Sequence, residues 1–171
     1  MTLKEATAEL HSKAEKMEFN QRMFRGELSK KEYLKYLTQQ LTIFLVIENR
    51  ELPHPSLSRI GNIYEDIAEL EKEQSHEYVA NSKTIEYCLY LQNLSDSDLL
   101  AHVYLNYLAL AYGGQMIKSK VPGSGKMYDF ENMQECVGSI RAIQNDEMAE
   151  EVNRGFQYII NILDELQTNA G

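Results

Sequence analysis

Tryptophan is absent from these 171 residues, and cysteine, proline and glycine number only two, three and nine. Two cysteines, Cys88 and Cys136, are too few for a disulfide scaffold and form no Cys-x-x-Cys pair, so they point to a reducing, cytoplasmic setting. So little proline and glycine excludes low-complexity linkers, and the length fits one domain over residues 1–171. Cations are also short, 17 Lys and Arg against 26 Asp and Glu, a formal net charge of −9. That balance leaves no basic footprint for nucleic acid, and an anionic ligand would need a local cationic patch. No apolar run is long enough to span a bilayer, and Met1-Thr2-Leu3-Lys4-Glu5 opens no signal core. Neither Gly-x-Ser-x-Gly nor His-Glu-x-x-His occurs, and Gly123-Ser124-Gly125-Lys126 lacks the upstream glycine and the Lys-Ser/Thr ending of a phosphate-binding loop.

What is present is helical periodicity. Apolar residues recur at three- and four-residue spacing, β-branched alternation is missing, and an all-α fold is expected. Thr2-x-x-Glu5 is a capping box that opens a first helix running to about Met17. Ser29-x-x-Glu32 opens a second, which must end before Pro53-His54-Pro55. A third carries Ile60, Ile63, Tyr64, Ile67 and Leu70 and continues through Tyr78 to Leu91, with a break near Asn81-Ser82. Ser95-x-x-Asp98 caps a helix from Asp96 to Lys120, Pro122-Gly123-Ser124-Gly125 is a loop, and one or two helices follow. The last runs from about Asp146 to Gln167.

Glu73-x-x-His76 matches one half of a carboxylate di-iron motif, and Glu51-x-x-His54 matches on paper, but prolines break its helix. Two other segments carry more. Lys4, Thr7, His11, Ala14 and Glu15 fall on one stripe of the first helix. A neutral imidazole there can ligate a metal, Glu15 one turn on can orient its second nitrogen, and Lys4 can reach an anionic group at a ligand's edge. A helix-surface histidine with charged neighbours is the plainer alternative. Tyr104-Leu105-Asn106-Tyr107-Leu108-Ala109-Leu110-Ala111-Tyr112-Gly113-Gly114-Gln115 places two glycines inside a helix, at about 1–2 kcal/mol relative to alanines. A kink or a close approach offsets such a cost. Ala109, Gly113, Leu110 and Gly114 offer a small-residue surface to a flat ligand or to a neighbouring helix.

Together these segments resemble the heme oxygenase family. Leu3-Lys4-Glu5-Ala6-Thr7-x-x-x-His11-x-x-Ala14-Glu15-x-x-x-Phe19 resembles its proximal-helix segment, and Tyr107-Leu108-x-x-x-x-Gly113-Gly114-Gln115 its distal signature. Glu150-Glu151 through Phe156 to Asp164-Glu165-Leu166-Gln167 resembles its last helix. The resemblance implies an all-helical single domain with heme between the first helix and a kinked distal helix. It makes His11 the iron's axial ligand and Glu15 the support of its ring. Lys4 and Thr7 would lie at the heme edge, Tyr104, Ala109, Gly113 and Gly114 on the distal side, and Phe156 on the macrocycle. Heme would be both prosthetic group and substrate. With O2 and an external electron donor (a ferredoxin, flavodoxin or reductase) it would give biliverdin, CO and ferrous iron.

The departures fall at the chemistry. The family's distal aspartate, which holds the water that delivers protons, is Leu110 here, and leucine offers no hydrogen bond. The preceding glycine is Ala109, the serine before Gly-Gly is Tyr112, and the arginine near the start of that helix is Asn106. Asn106, one turn before Leu110, could hold a water in a shifted position, and Tyr112 only if the kink turned it inward. Lys118, Lys126 or Arg141 would stand in for the basic pair at the propionates. Two functions follow: an oxygenase, or a non-catalytic heme carrier, buffer or sensor that has lost distal proton delivery. A third, a relative of the wider fold that binds another flat molecule such as a thiamine fragment, is opposed by His11 in its full motif.

Overall fold

The computed structural model describes residues 1–170, and among them the regular structure is helix alone. Helix α1 spans Leu3–Glu15 and begins with the expected capping box: the Thr2 hydroxyl accepts from the Glu5 amide (3.2 Å) while the Glu5 carboxylate accepts from the Thr2 amide (2.9 Å). It ends two residues short of Met17, because Met17 is already the N-cap of α2, Glu18–Phe24. The sequence reading has no helix there. Phe19 and Met23, four apart, supply its buried stripe, and Arg22 anchors it by a double hydrogen bond to Glu32 at 2.7 and 2.8 Å.

Helix α3, Lys30–Ile47, starts with the second capping box. Helix α4, Ile60–Glu71, stops ten residues earlier than its extrapolated break. Lys72, Glu73, Gln74 and Ser75 offer no apolar side chain to bury, so the chain leaves the helix. It is caught instead by α3: Gln39 donates to the Val79 carbonyl (3.0 Å) and accepts from the Asn81 amide (2.8 Å), and Thr38 pairs with His76 (2.7 Å). Helix α5 then runs Ser82–Gln92 and α6 Asp96–Ala111.

At Tyr112 (φ −101°, ψ −72°) the long expected helix breaks, and α7 is only Gly113–Ile117. Helix α8 is Met133–Ile143, and α9, Ala149–Thr168, follows a single 3-10 turn at Asp146–Met148. α9 joins two cores. Ile162, Leu163 and Leu166 enter the main one with residues of α2 to α8. Val152, Phe156 and Ile160 enter a second with Leu3 and Ala14 of α1 and Ala101 and Leu105 of α6. Each of these leucine, isoleucine, valine and phenylalanine side chains contributes about 1.5–3 kcal/mol when fully buried. The second core ties α1 and α6 to a common helix. Leu3 N–H donates to Asp146 (2.8 Å) and Asn153 to the Ala6 carbonyl (3.1 Å), fixing α1 along α9.

Candidate functional site

His11 lies on α1 with its ring stacked on Phe156 of α9, centroids 5.5 Å apart and planes 19° from parallel. Its Nε2 is 2.9 Å from Glu15 Oε1, and both side chains are 60% exposed. Glu15 therefore does touch the ring, at Nε2. Nδ1 takes no hydrogen bond among the described residues. An exposed i,i+4 pair is worth only about 0.3–0.5 kcal/mol, so a metal–nitrogen bond easily displaces it. Lys4 is exposed and has no carboxylate partner among the described residues. Thr7 is buried, and its hydroxyl is engaged by the Leu3 carbonyl at 2.8 Å.

The break between α6 and α7 separates the two glycines. A Cβ on Gly114 would lie 2.3 Å from Tyr128 Cδ1, whereas one on Gly113 would meet no described atom within 4 Å. Gln115 donates to the Tyr128 carbonyl at 2.6 Å. Gly114 and Gln115 thus seat Tyr128, the helix-packing explanation, and only Gly113 opens outward. Ala109 is exposed on the same side of the sequence stripe, Tyr104 is half-buried at the edge of both cores, and Leu110 is 6% exposed within the main core. Tyr112 is 52% exposed, its ring 5.5 Å from the Arg141 guanidinium. Of the three candidate cations, Arg141 alone sits at the break. Lys118 pairs with Asp129, and Lys126 lies 3.9 Å from Glu65.

Asn106 is 7% exposed, and both its amide hydrogens point inward, to the Tyr87 hydroxyl (3.1 Å) and the His102 carbonyl (2.9 Å). Tyr87 contacts His102 Nδ1 at 2.7 Å, and His102 Nε2 lies 2.9 Å from Glu151 Oε1. Glu151 also accepts from Tyr90 and, at 3.1 Å, from Arg154. Burial pushes the His102 pKa down against the pull of Glu151, and it pushes the Tyr87 phenol well above its usual range. The sequence reading misses this chain of groups. Its one signal was polar His102 and Asn106 four apart in an otherwise apolar helix; Tyr87 and Glu151 come from elements far away in sequence.

The half-motif Glu73-x-x-His76 is not helical: Glu73 pairs with Lys30 and His76 with Thr38. His54 caps the turn at Ser56. Among the described residues no three His, Cys, Asp or Glu side chains gather as a metal cluster. Both cysteines are free and buried, the Cys88 thiol pushed up to about 11 by burial. No helix among the described residues is long and apolar enough to cross a membrane.

The chain resembles known proteins along nearly its whole length. It is 29% identical to heme oxygenase 2 of Macaca fascicularis over 96% of this chain, and spans 64% of that protein's length. It is 28% identical to heme oxygenase 1 of Bos taurus over 72% of this chain and 50% of that protein. Among solved structures, heme oxygenase-2 from Synechocystis, in complex with heme and NO, superposes with a TM-score of 0.83 at 19% identity, covering 97% of this chain and 84% of that one. Heme oxygenase from Leptospira interrogans gives 0.80 at 22%, covering 95% and 97%. The profile of the family described as heme oxygenase matches residues 1–136. With helices as its regular structure and more than half its length matched, the chain belongs to the heme oxygenase family.

Proposed function

We propose that this chain binds heme through His11 and opens its ring, using O2 and electrons from a separate donor protein, to give biliverdin, CO and ferrous iron in a reducing cytoplasm. The observation that carries the reading is the His11 ring, stacked on Phe156 and held by Glu15, on the first helix of this family's framework. The residues present fit the group. His11 has one nitrogen without a partner and a second held only by a weak pair. Gly113 faces open space, and the exposed side chains near it, Tyr112 and Met116, are apolar in bulk. Arg141 beside Tyr112 supplies a cation that could meet a propionate.

Heme, when bound, supplies the oxygen activation; the chain supplies ligand, shape and polarity. His11 would hold the iron through one ring nitrogen, with Glu15 at the other fixing the ring. Phe156 would back the imidazole, and Ala109 and Gly113 would let the backbone approach the flat face. Gly114 is assigned to packing on Tyr128. Asn106 offers the polar atom that Leu110 lacks. Leu110 also supports a second reading: a core leucine holds no water, and a site without ordered water would retain heme without opening it.

Hemin-loaded protein given a reductant and oxygen should lose its Soret band and gain biliverdin-like absorption, with or without catalase. A stable Soret band would leave the second reading. His11→Ala should abolish the axial-ligand spectrum in either case, and an unaltered spectrum would defeat the assignment.

A further inference from the structure

The buried groups behind α6 form a chain with a direction. We propose that Glu151, His102 and Tyr87 are positioning residues that lock Asn106 with its amide hydrogens inward and its Oδ1 presented as a fixed hydrogen-bond acceptor on the stripe of Ala109 and Gly113. This rests on the heme-site reading above and adds the residues that fix the group standing in for the missing carboxylate.

The direction follows from the donors. Glu151, ionised, only accepts, so His102 Nε2 carries the proton across their 2.9 Å contact. A neutral imidazole then has a bare Nδ1, which accepts the Tyr87 hydroxyl at 2.7 Å. That engages the phenolic hydrogen, and the Tyr87 oxygen accepts from Asn106 at 3.1 Å. The second amide hydrogen goes to the His102 carbonyl at 2.9 Å. Asn106 Oδ1 has no partner among the described residues, nor is it one of the sealed, unpartnered atoms. A free phenol could turn and donate to Oδ1, reversing the amide. His102 prevents that turn, and Glu151 prevents His102 from switching tautomer. Gly155 leaves room for the arrangement: a Cβ there would stand 2.5 Å from Leu105 Cδ2 and 3.0 Å from His102 Nδ1. Asn106 is one turn ahead of Leu110, so the site keeps a hydrogen-bond acceptor although the leucine has none.

Two measurements test it. In the ligand-free protein, nitrogen-15 NMR should find His102 protonated at Nε2; protonation at Nδ1 overturns the proposal. In hemin-loaded, reduced protein, carbon monoxide is the probe: its C–O stretch rises when a lone pair faces it and falls when an N–H does. Asn106→Leu should lower the stretch, and His102→Leu should lower it further by releasing the amide to turn over. Tyr87→Phe, a milder change, should also lower it if His102→Leu fails to fold. An unchanged stretch in Asn106→Leu overturns the acceptor. A drop there with none in His102→Leu or Tyr87→Phe removes the positioning residues, leaving the His102 carbonyl as sole anchor. Failure to take up hemin at all defeats the site reading itself and with it the acceptor's role, while the tautomer is decided separately.

Discussion

Two effects pull apart at Leu110. Its side chain is buried in the main core, so Leu110→Asp removes apolar packing and buries a carboxylate. We expect a loss of about 3–5 kcal/mol by urea denaturation of the ligand-free protein. The same variant should turn over heme faster if ordered water is what the site lacks. A stability loss below about 1 kcal/mol would place the side chain in solvent instead. His102 gives a second expectation. Burial lowers its pKa in the folded chain, so the unfolded chain binds a proton near the ordinary imidazole value of 6.5 that the folded chain refuses. Its share of stability is therefore intact above that pH and drains away below it. Burial pushes Glu151 up, but hydrogen bonds from His102 and Tyr90 prevail and hold it below 4.5, so its share is lost only in stronger acid. The urea midpoint should fall between about pH 7 and pH 5, and His102→Leu should flatten that slope. Individual residues were unevenly legible. His11 and Glu15 stand in one helical stripe, so their contact could be read from spacing. The atom that Glu15 touches, the engagement of Thr7 by its own helix and the inward turn of Asn106 depend on side-chain torsions and distant partners, which spacing does not encode.

Within the elements, the glycine pair divides cleanly. Gly113→Ala should stabilise the ligand-free protein by about 0.5–1 kcal/mol, since helix propensity improves and the space is open. It should weaken hemin binding if a flat ligand uses that space. Gly114→Ala should cost about 1–3 kcal/mol, because the Tyr128 ring must move aside. Thermal melts of the two variants shifting in the same direction would contradict this division. Helix starts capped at Thr2, Ser29 and Ser95 were readable because the cap is local. Helix ends were not. α4 stops where its apolar stripe gives out, and the α6 break at Tyr112 was legible as a kink at Gly113-Gly114 but not as the end of the helix. α2 escaped notice because seven residues show barely two turns of periodicity.

For the whole molecule, α9 is the common neighbour of α1, α2, α5 and α6. Truncation after Asn145 should give a chain with no cooperative unfolding transition by calorimetry, since both cores lose a wall. A cooperative transition would show that the first eight helices fold without it. The all-α class was legible because periodicity is a property of every segment, but the gathering of Tyr87, His102 and Glu151 spans three helices and is a property of none. The helix that carries Phe156 and Glu151 also lies beyond the matched residues 1–136. The clasp of Leu3 by Asp146 and of the Ala6 carbonyl by Asn153 has a temporal side. Until Asp146 and Asn153 have been added to the growing chain, the segment bearing His11 lacks the groups that clasp it. The His11 ring can stack on Phe156 only after α9 has emerged, so the ordering of α1 waits on a helix made more than a hundred residues later.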